Sequence, residues 1–359
     1  MHDVAKVARV SHQTVSRVLN GHPHVRPATR ERVQRAIAEL GYRRNAAARS
    51  LVTRRSGVIG VLTPRTHLYG PTSSMIAVEV AAREAGYFVS LASVADTSAA
   101  ALDAAVEHFK DQAVEAVVLI APEKEWLAAA RIVASDLPVV TLCADFRPAK
   151  PRLVSVAMDN RAGASLITKH LLELGHRDIA FISGPVDSPE ATARWRAWRD
   201  EMTAAGLEAA RAYPGDWSSA TGYAAGKQLV ADGVPTAVFA ANDQMAVGLL
   251  AALAEAGIDV PGEVSVAGFD DLPDSAYFPP GLTTVRQDFA ALAGRCVGVL
   301  ERILSGEPAA SVRIRPDLVV RASTAPPRDG SCSRDGQRLR DGQRLPDRRR
   351  LPDGQRRRR

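Results

Sequence analysis

Cysteine is scarce in this chain: its 359 residues contain three, Cys143, Cys296 and Cys332. An odd number without Cys-x-x-Cys spacing argues against a disulfide framework and against a structural zinc site, and it fits a reducing compartment. No apolar run reaches membrane-spanning length, and the N-terminus lacks the basic-then-apolar order of a signal peptide, so a cytoplasmic protein with no membrane partner is expected. Nucleotide-binding and hydrolytic signatures are missing too. No Gly-x-Gly-x-x-Gly or P-loop opens a helix after a strand, and no Ser/His/Asp set is suggested. No catalytic residue, metal or cofactor is therefore expected. His22 and His24 form a conceivable metal pair, but no third ligand lies near them in sequence.

What is present is a lopsided charge. Residues 1–56 carry 12 basic and 3 acidic side chains, residues 57–325 carry 22 and 32, and residues 326–359 carry 12 Arg and 5 Asp. A small basic head on an acidic body is the electrostatic footprint of a nucleic-acid module joined to a unit that stays off the polyanion. The bland alternative is a solvated Arg-rich helical surface.

The pattern changes near Arg55, from short helices with Ala and Val at core spacing to apolar runs alternating with helical stretches. Strands are expected at Val58 to Leu62, Phe88 to Leu91, Ala116 to Ile120, Val139 to Leu142, Ile179 to Ile182, Ala237 to Phe239 and Val264 to Ala267. Amphipathic stretches such as Ser74 to Ala85 and Arg161 to Leu174 separate them. This rhythm predicts an α/β fold with parallel sheets covered on both faces. Seven units exceed one comfortable sheet, so two doubly wound lobes are expected, with a ligand cleft at the carboxyl ends of the strands. The chain would cross between lobes near Val156 and near Gln287. At the C-terminus Arg-Asp-Gly-Gln-Arg-Leu recurs at 334–339 and 340–345. Leucines spaced by six with interleaved prolines exclude a heptad coiled coil, and residues 326–359 are expected to be a disordered basic tail.

In the head, Val4, Ala5 and Ala8 share a helical face, Ser11 is a good N-cap for a helix carrying Val15, Val18 and Leu19, and a third helix starts at Pro27 and stops at Gly41. This is a three-helix unit containing a helix-turn-helix. His12, Gln13, Arg17 and Asn20 fall on the exposed side of the second helix, and Gln and Arg are groove-reading chemistries.

At Asp3-Val4-Ala5, Val10 through Asn20, Thr29-Arg30-Glu31 and Leu40-Gly41-Tyr42 the chain resembles the Lac repressor and purine repressor (LacI/GalR) family. The resemblance extends to about residue 325, through Leu174-Gly175-His176, Ala241 to Ala246, Gly268-Phe269-Asp270-Asp271 and Leu282 to Phe289. Gly215-Asp216-Trp217-Ser218 and Pro279-Pro280 lean toward the family's Lac repressor branch. It implies a head at 1–44, a hinge helix and linker at 45–56, and a ligand-binding and dimerisation body at 57–325 of type I periplasmic-binding-protein-like architecture. One lobe would comprise about 57–156 and 288–316, the other about 157–287 and 317–325.

The resemblance further implies that His12, Gln13 and Arg17 face bases, with Ser11, Thr14, Ser16 and Asn20 near phosphates. It identifies Asn45 to Leu51 as the hinge, with Asn45 and Ala48 at the DNA and Leu51 as a minor-groove wedge. In the body it assigns Asp159, Arg194, Asn242 and Asp270 to sugar hydroxyls, Gln287 close by, and Trp217 and Phe289 as apolar walls. The implied partners are palindromic double-stranded operator DNA, a small sugar, with a galactoside as the lead, and a second copy of the chain. Two departures stand out: Arg9 occupies a turn that is often Gly in the family, and Arg44 stands where Pro is usual. Two other functions share parts of this reading. A glycosidase would use Asp159 and Asp270 as paired carboxylates, and a transport-linked sugar-binding protein would share the body but need an export signal and no DNA head.

Overall fold

A computed structural model of the chain describes residues 1–19, 22–42, 55–96, 98–120, 124–143 and 152–328. Asn20, Asn45, Ala48 and Leu51, the hinge over 45–54 and the repeat tail beyond residue 328 lie outside the described residues.

The head consists of α1 (His2–Val7), α2 (His12–Leu19) and α3 (Pro27–Glu39). Their spacing places Val4, Ala5, Ala8, Val15, Val18 and Val33 in one buried cluster. Small side chains allow these short helices to pack closely. Pro27 opens α3 at a position whose N–H needs no helical partner, and Gly41 ends it in the left-handed region at φ +55°. Arg9, in the turn between α1 and α2, also sits in that region at φ +51°, where a Cβ crowds the backbone. Arg9→Gly should therefore stabilise the head by about 0.5–1 kcal/mol. Slower amide exchange in α1 and α2 of the full-length variant would show it, and unchanged protection would refute it.

From residue 55 strands and helices alternate: β1 (Val58–Pro64), α4 (Tyr69–Glu84), β2 (Phe88–Val94), α5 (Ala99–Asp111), β3 (Ala116–Ile120), α6 (Lys124–Asp136), β4 (Val139–Leu142) and β5 (Leu153–Met158). There follow α7 (Asn160–Glu173), β6 (Ile179–Ile182), α8 (Pro189–Ala204), β7 (Ala212–Tyr213), α9 (Ser219–Ala231), β8 (Ala237–Ala240), α10 (Asp243–Glu255) and β9 (Ser265–Ala267). The last elements among the described residues are β10 (Thr284–Arg286), α11 (Phe289–Leu304), β11 (Val312–Ile314) and β12 (Asp317–Val319).

These strands form two parallel sheets, ordered β11-β5-β4-β3-β1-β2 and β7-β6-β8-β9, and a small antiparallel pair of β10 and β12. Six of the seven expected runs lie in a strand, and the seventh does so from Ser265, with Val264 just before β9. β1, β3, β4 and β6 are apolar runs because helices cover both faces of a parallel sheet, leaving no solvent side to mark with polar residues. The first sheet is sandwiched between a layer built on α4 and α11 and another built on α5 and α6. Phe181, Phe239, Trp198 and Phe269 anchor the core of the second sheet.

The chain passes between the sheets three times: from β5 into α7, from β10 into α11 and from β11 into β12. β5 stays in the first sheet through Met158, two residues beyond the expected crossing at Val156. The Asp271 carboxylate accepts from Arg286 Nε at 2.7 Å and from an Arg321 terminal nitrogen at 2.6 Å, tying β10 to the segment after β12.

Candidate functional sites

The first site is the exposed face of α2. Ser11 caps the helix: its hydroxyl accepts from the Thr14 N–H at 3.1 Å and lies 2.9 Å from the Thr14 hydroxyl. His12, Gln13 and Arg17 are exposed together, with Ser16 half-buried beside them, while Val15 and Val18 face the core. The arrangement presents one guanidinium, one amide and one imidazole on a helix face with nothing apolar between them. His2, which sequence reasoning did not single out, stacks on His12 with ring centroids 5.0 Å apart.

The second site is a cleft at the carboxyl ends of both parallel sheets, where doubly wound folds bind ligands because strand ends and helix N-termini converge there. It encloses about 750 Å³ of empty space, part of it open to solvent. Arg194, on α8, is its centre and is almost fully buried. Its Nε donates to Asn160 Oδ1 at 2.8 Å, its Nη1 donates to the Ala241 carbonyl at 2.5 Å and stands 3.6 Å from Asp270 Oδ1. The guanidinium carbon lies 3.7 Å from the Phe269 ring centroid and 5.3 Å from that of Trp217. Burial pulls the guanidinium pKa down and Asp270 opposes it; a guanidinium stays charged under both pressures.

Asp270 follows β9 at φ +120°, a strained backbone for a residue with a Cβ. Its carboxylate also accepts from Gln287 Nε2 at 2.6 Å. Burial pushes its pKa up to about 6, against the pull of Arg194 and of the Gln287 hydrogen bond. Asn242 caps α10, accepting from the Met245 N–H at 2.8 Å, and its amide donates to the Trp217 carbonyl at 3.0 Å. That bond holds Trp217 at φ +75°. Trp217 packs over Gly184, where any Cβ would collide with the indole. Phe289, first residue of α11, meets Tyr69 edge-on at 5.7 Å. Asp243 is buried behind the site and accepts from Ser275, Thr284 and the Leu272 N–H. Burial, then the neighbouring Asp270, pushes its pKa up to about 7.

Arg194, Trp217, Asn242, Asp270, Gln287 and Phe289 thus line one cleft. Asp159 does not. Its carboxylate accepts from the Ala162 N–H at 2.9 Å as the N-cap of α7, because a helix start needs an acceptor and the preceding carboxylate is the nearest one. Asn160 takes the cleft-facing place, so Asp159 does not join Asp270 in lining this cleft. Sequence reasoning also missed Tyr69, Cys143, Glu190 and Gln244, all in the cleft wall. Gln244 accepts from the Tyr69 N–H at 3.4 Å, a contact from one lobe to the other. The only local signal for Asn160 is its place immediately after a capping residue.

Among the described residues no group of three His, Cys, Asp or Glu could hold a metal ion, and no helix is long and apolar enough to cross a membrane.

Comparison with known proteins agrees on both parts. Residues 1–45 match the model for bacterial regulatory proteins of the lacI family, and residues 168–324 match a periplasmic binding protein-like domain. The lactose operon repressor of Escherichia coli (strain K12) is 35% identical over 335 residues, covering 93% of this chain and 92% of that one. The regulator CelR of Thermobifida fusca is 33% identical over 331 residues, covering 89% and 96%. Among solved structures, a Lac repressor dimer bound to operator and an anti-inducer superimposes with a TM-score of 0.77 at 32% identity, covering 90% of this chain and 98% of that one. A complex of CelR with cellobiose gives 0.68 at 30% identity, covering 89% and 98%. The chain belongs to the lacI family of bacterial regulatory proteins, DNA-binding transcription regulators in which a helix-turn-helix head is joined to a periplasmic-binding-protein-like body.

Proposed function

We propose that this chain is a homodimeric, cytoplasmic, nucleoid-associated repressor whose two heads bind a palindromic operator and whose clefts bind a sugar, a galactoside first, that releases the DNA. The observation that carries the reading is the Arg194, Asp270 and Asn242 set beside Trp217: directional donors and acceptors around a flat indole suit hydroxyls on one side of a sugar ring and C–H groups on the other. The relatives' names span lactose, cellobiose, purine and ribose regulators. The second reading is therefore another sugar, or a corepressor with the opposite effect. The sign of the response follows differential affinity. A ligand that prefers the state with poorer DNA geometry shifts the population away from the operator by that preference and no more.

Fluorescence anisotropy of labelled DNA from the gene's own upstream region, titrated first with protein and then with a sugar panel, tests the whole proposal. Release by a galactoside supports it. Specific DNA binding that no galactoside relieves leaves a regulator of another effector, and no specific binding refutes the repressor reading. In the same assay Arg17→Ala should weaken operator binding by about 1–3 kcal/mol and relax specificity at one base position, as loss of a base-edge contact does. A uniform loss across all sequences would make Arg17 a phosphate contact instead.

Sugar affinity should fall as pH drops through about 6. Below that value Asp270 is neutral, giving up a charged acceptor for sugar hydroxyls and the counter-charge of Arg194. Above it the carboxylate is ionised and binding is at full strength. Titration calorimetry at pH 5 and pH 7.5 measures this, and equal affinity at both would rule out Asp270 as the acceptor.

A further inference from the structure

Ahead of β1 the chain turns out of the first sheet through Gly57, whose φ of +70° lies in the left-handed region. A Cβ there would meet nothing within 4 Å, so the glycine serves the bend and not a close approach. Sheet bonding reaches this point: the Gly57 carbonyl accepts from the Phe88 N–H at 2.8 Å, and the Val58 carbonyl from the Glu115 N–H at 2.9 Å. Side chains then take over. The Glu115 carboxylate, 12% exposed, accepts from the Gly57 N–H at 2.6 Å with one oxygen and from Arg55 Nε at 2.8 Å with the other. A terminal nitrogen of Arg55 donates to the Tyr87 hydroxyl at 3.2 Å. Glu115 stands just before β3 and Tyr87 just before β2, the two strands that flank β1. Arg55 therefore spans the end of β1 from one neighbour to the other, and the start of the path back to the head is held on both sides.

Half-sites on a duplex lie at fixed spacing, so a head that leaves its body in one direction loses less freedom on binding than a head that leaves in many. By charge alone Arg55 counts among the head's phosphate-binding residues, yet its guanidinium is committed to a carboxylate and a phenol. We propose that Glu115 is a positioning residue for operator binding: with Arg55 and Tyr87 it fixes the direction in which the linker leaves the first lobe. The inference rests on the operator-binding reading above. It also reverses the expectation from charge. A carboxylate repels a polyanion, so its neutralisation should on that ground strengthen DNA binding; neutralising a positioning carboxylate weakens it.

The test is fluorescence anisotropy of the full-length protein on two labelled duplexes, the gene's own upstream region and a random sequence of equal length, over a range of salt. Glu115→Gln should lower affinity for the upstream duplex by at least about fivefold, the lower end of coupling between sites, while the random duplex binds as tightly as before or more tightly. Arg55→Gln should weaken upstream binding without changing the slope of log affinity against log salt, whereas loss of a phosphate contact flattens that slope by about one. Arg55→Lys keeps the charge beside Glu115 and should recover part of the loss. Tyr87→Phe removes a single hydroxyl and should give a smaller loss in the same direction; it carries the test should a charge variant fold poorly. Unchanged or tighter upstream binding by Glu115→Gln overturns the positioning role, as does an equal loss on both duplexes. A flatter salt slope for Arg55→Gln makes that residue a phosphate contact and overturns it too. If the parent protein does not prefer its upstream duplex to the random one, the operator reading falls and takes the proposal with it.

Discussion

Arg194→Ala is expected to destabilise the body by about 3–5 kcal/mol and to abolish effector binding. The guanidinium is enclosed by Phe269, Trp217, Asn160, the Ala241 carbonyl and Asp270. Removing it leaves the buried Asp270 carboxylate with the Gln287 amide as its hydrogen-bond donor and takes their donor from the Asn160 amide oxygen and the Ala241 carbonyl. Urea unfolding with sugar titration on the same sample measures both effects. Arg194→Lys separates them: it restores the charge and most of the stability, but a single ammonium cannot serve Asn160, Ala241 and Asp270 in one plane, so sugar affinity stays low. A lysine variant with normal affinity would show that charge alone suffices and that the planar geometry is incidental.

Gly248→Ala should cost about 3 kcal/mol and disable the cleft without touching it. A Cβ at Gly248 of α10 would run into the Ser219 carbonyl and stand 2.5 Å from the Tyr223 nitrogen of α9, and Gly222 of α9 meets the Met245 backbone in return. Backbone on both sides leaves no side chain to swing aside, so the helices must separate. Trp217 lies just before α9 and Asn242 caps α10. Separation therefore stretches the 3.0 Å bond from the Asn242 amide to the Trp217 carbonyl. Weaker sugar-dependent tryptophan quenching in native buffer, together with an earlier urea midpoint, is the expected signature. A variant within about 0.5 kcal/mol of the parent would mean that the two helices slide past the methyl group.

How far the sequence carried the fold depended on element length. The seven expected runs had three to five apolar residues each, enough for pattern to reveal. β7 has two residues and β10, β11 and β12 three each. Strands this short have no readable period and exist because a neighbour supplies their hydrogen bonds, as the Ala267–Thr283 bridge does alongside β10. β5 is longer, but its run leads directly into Asp159, whose carboxylate looked like a ligand and is a helix cap.

By itself the sequence determined the basic three-helix head with its exposed His12, Gln13 and Arg17, the alternation that builds parallel sheets, and six of the seven residues expected at the cleft. The head and the alternation follow from local period and charge, which a chain carries without folding, and the cleft residues from the resemblance to the family. Tertiary structure decided which way adjacent side chains turn at a helix start, placing Asn160 rather than Asp159 in the cleft. It also gathered Tyr69, Ile120, Cys143 and Met158 into a wall facing Arg194 and Asp270. Their segments are far apart in sequence, and only the carboxyl ends of two sheets, brought face to face by three crossovers, make them one surface.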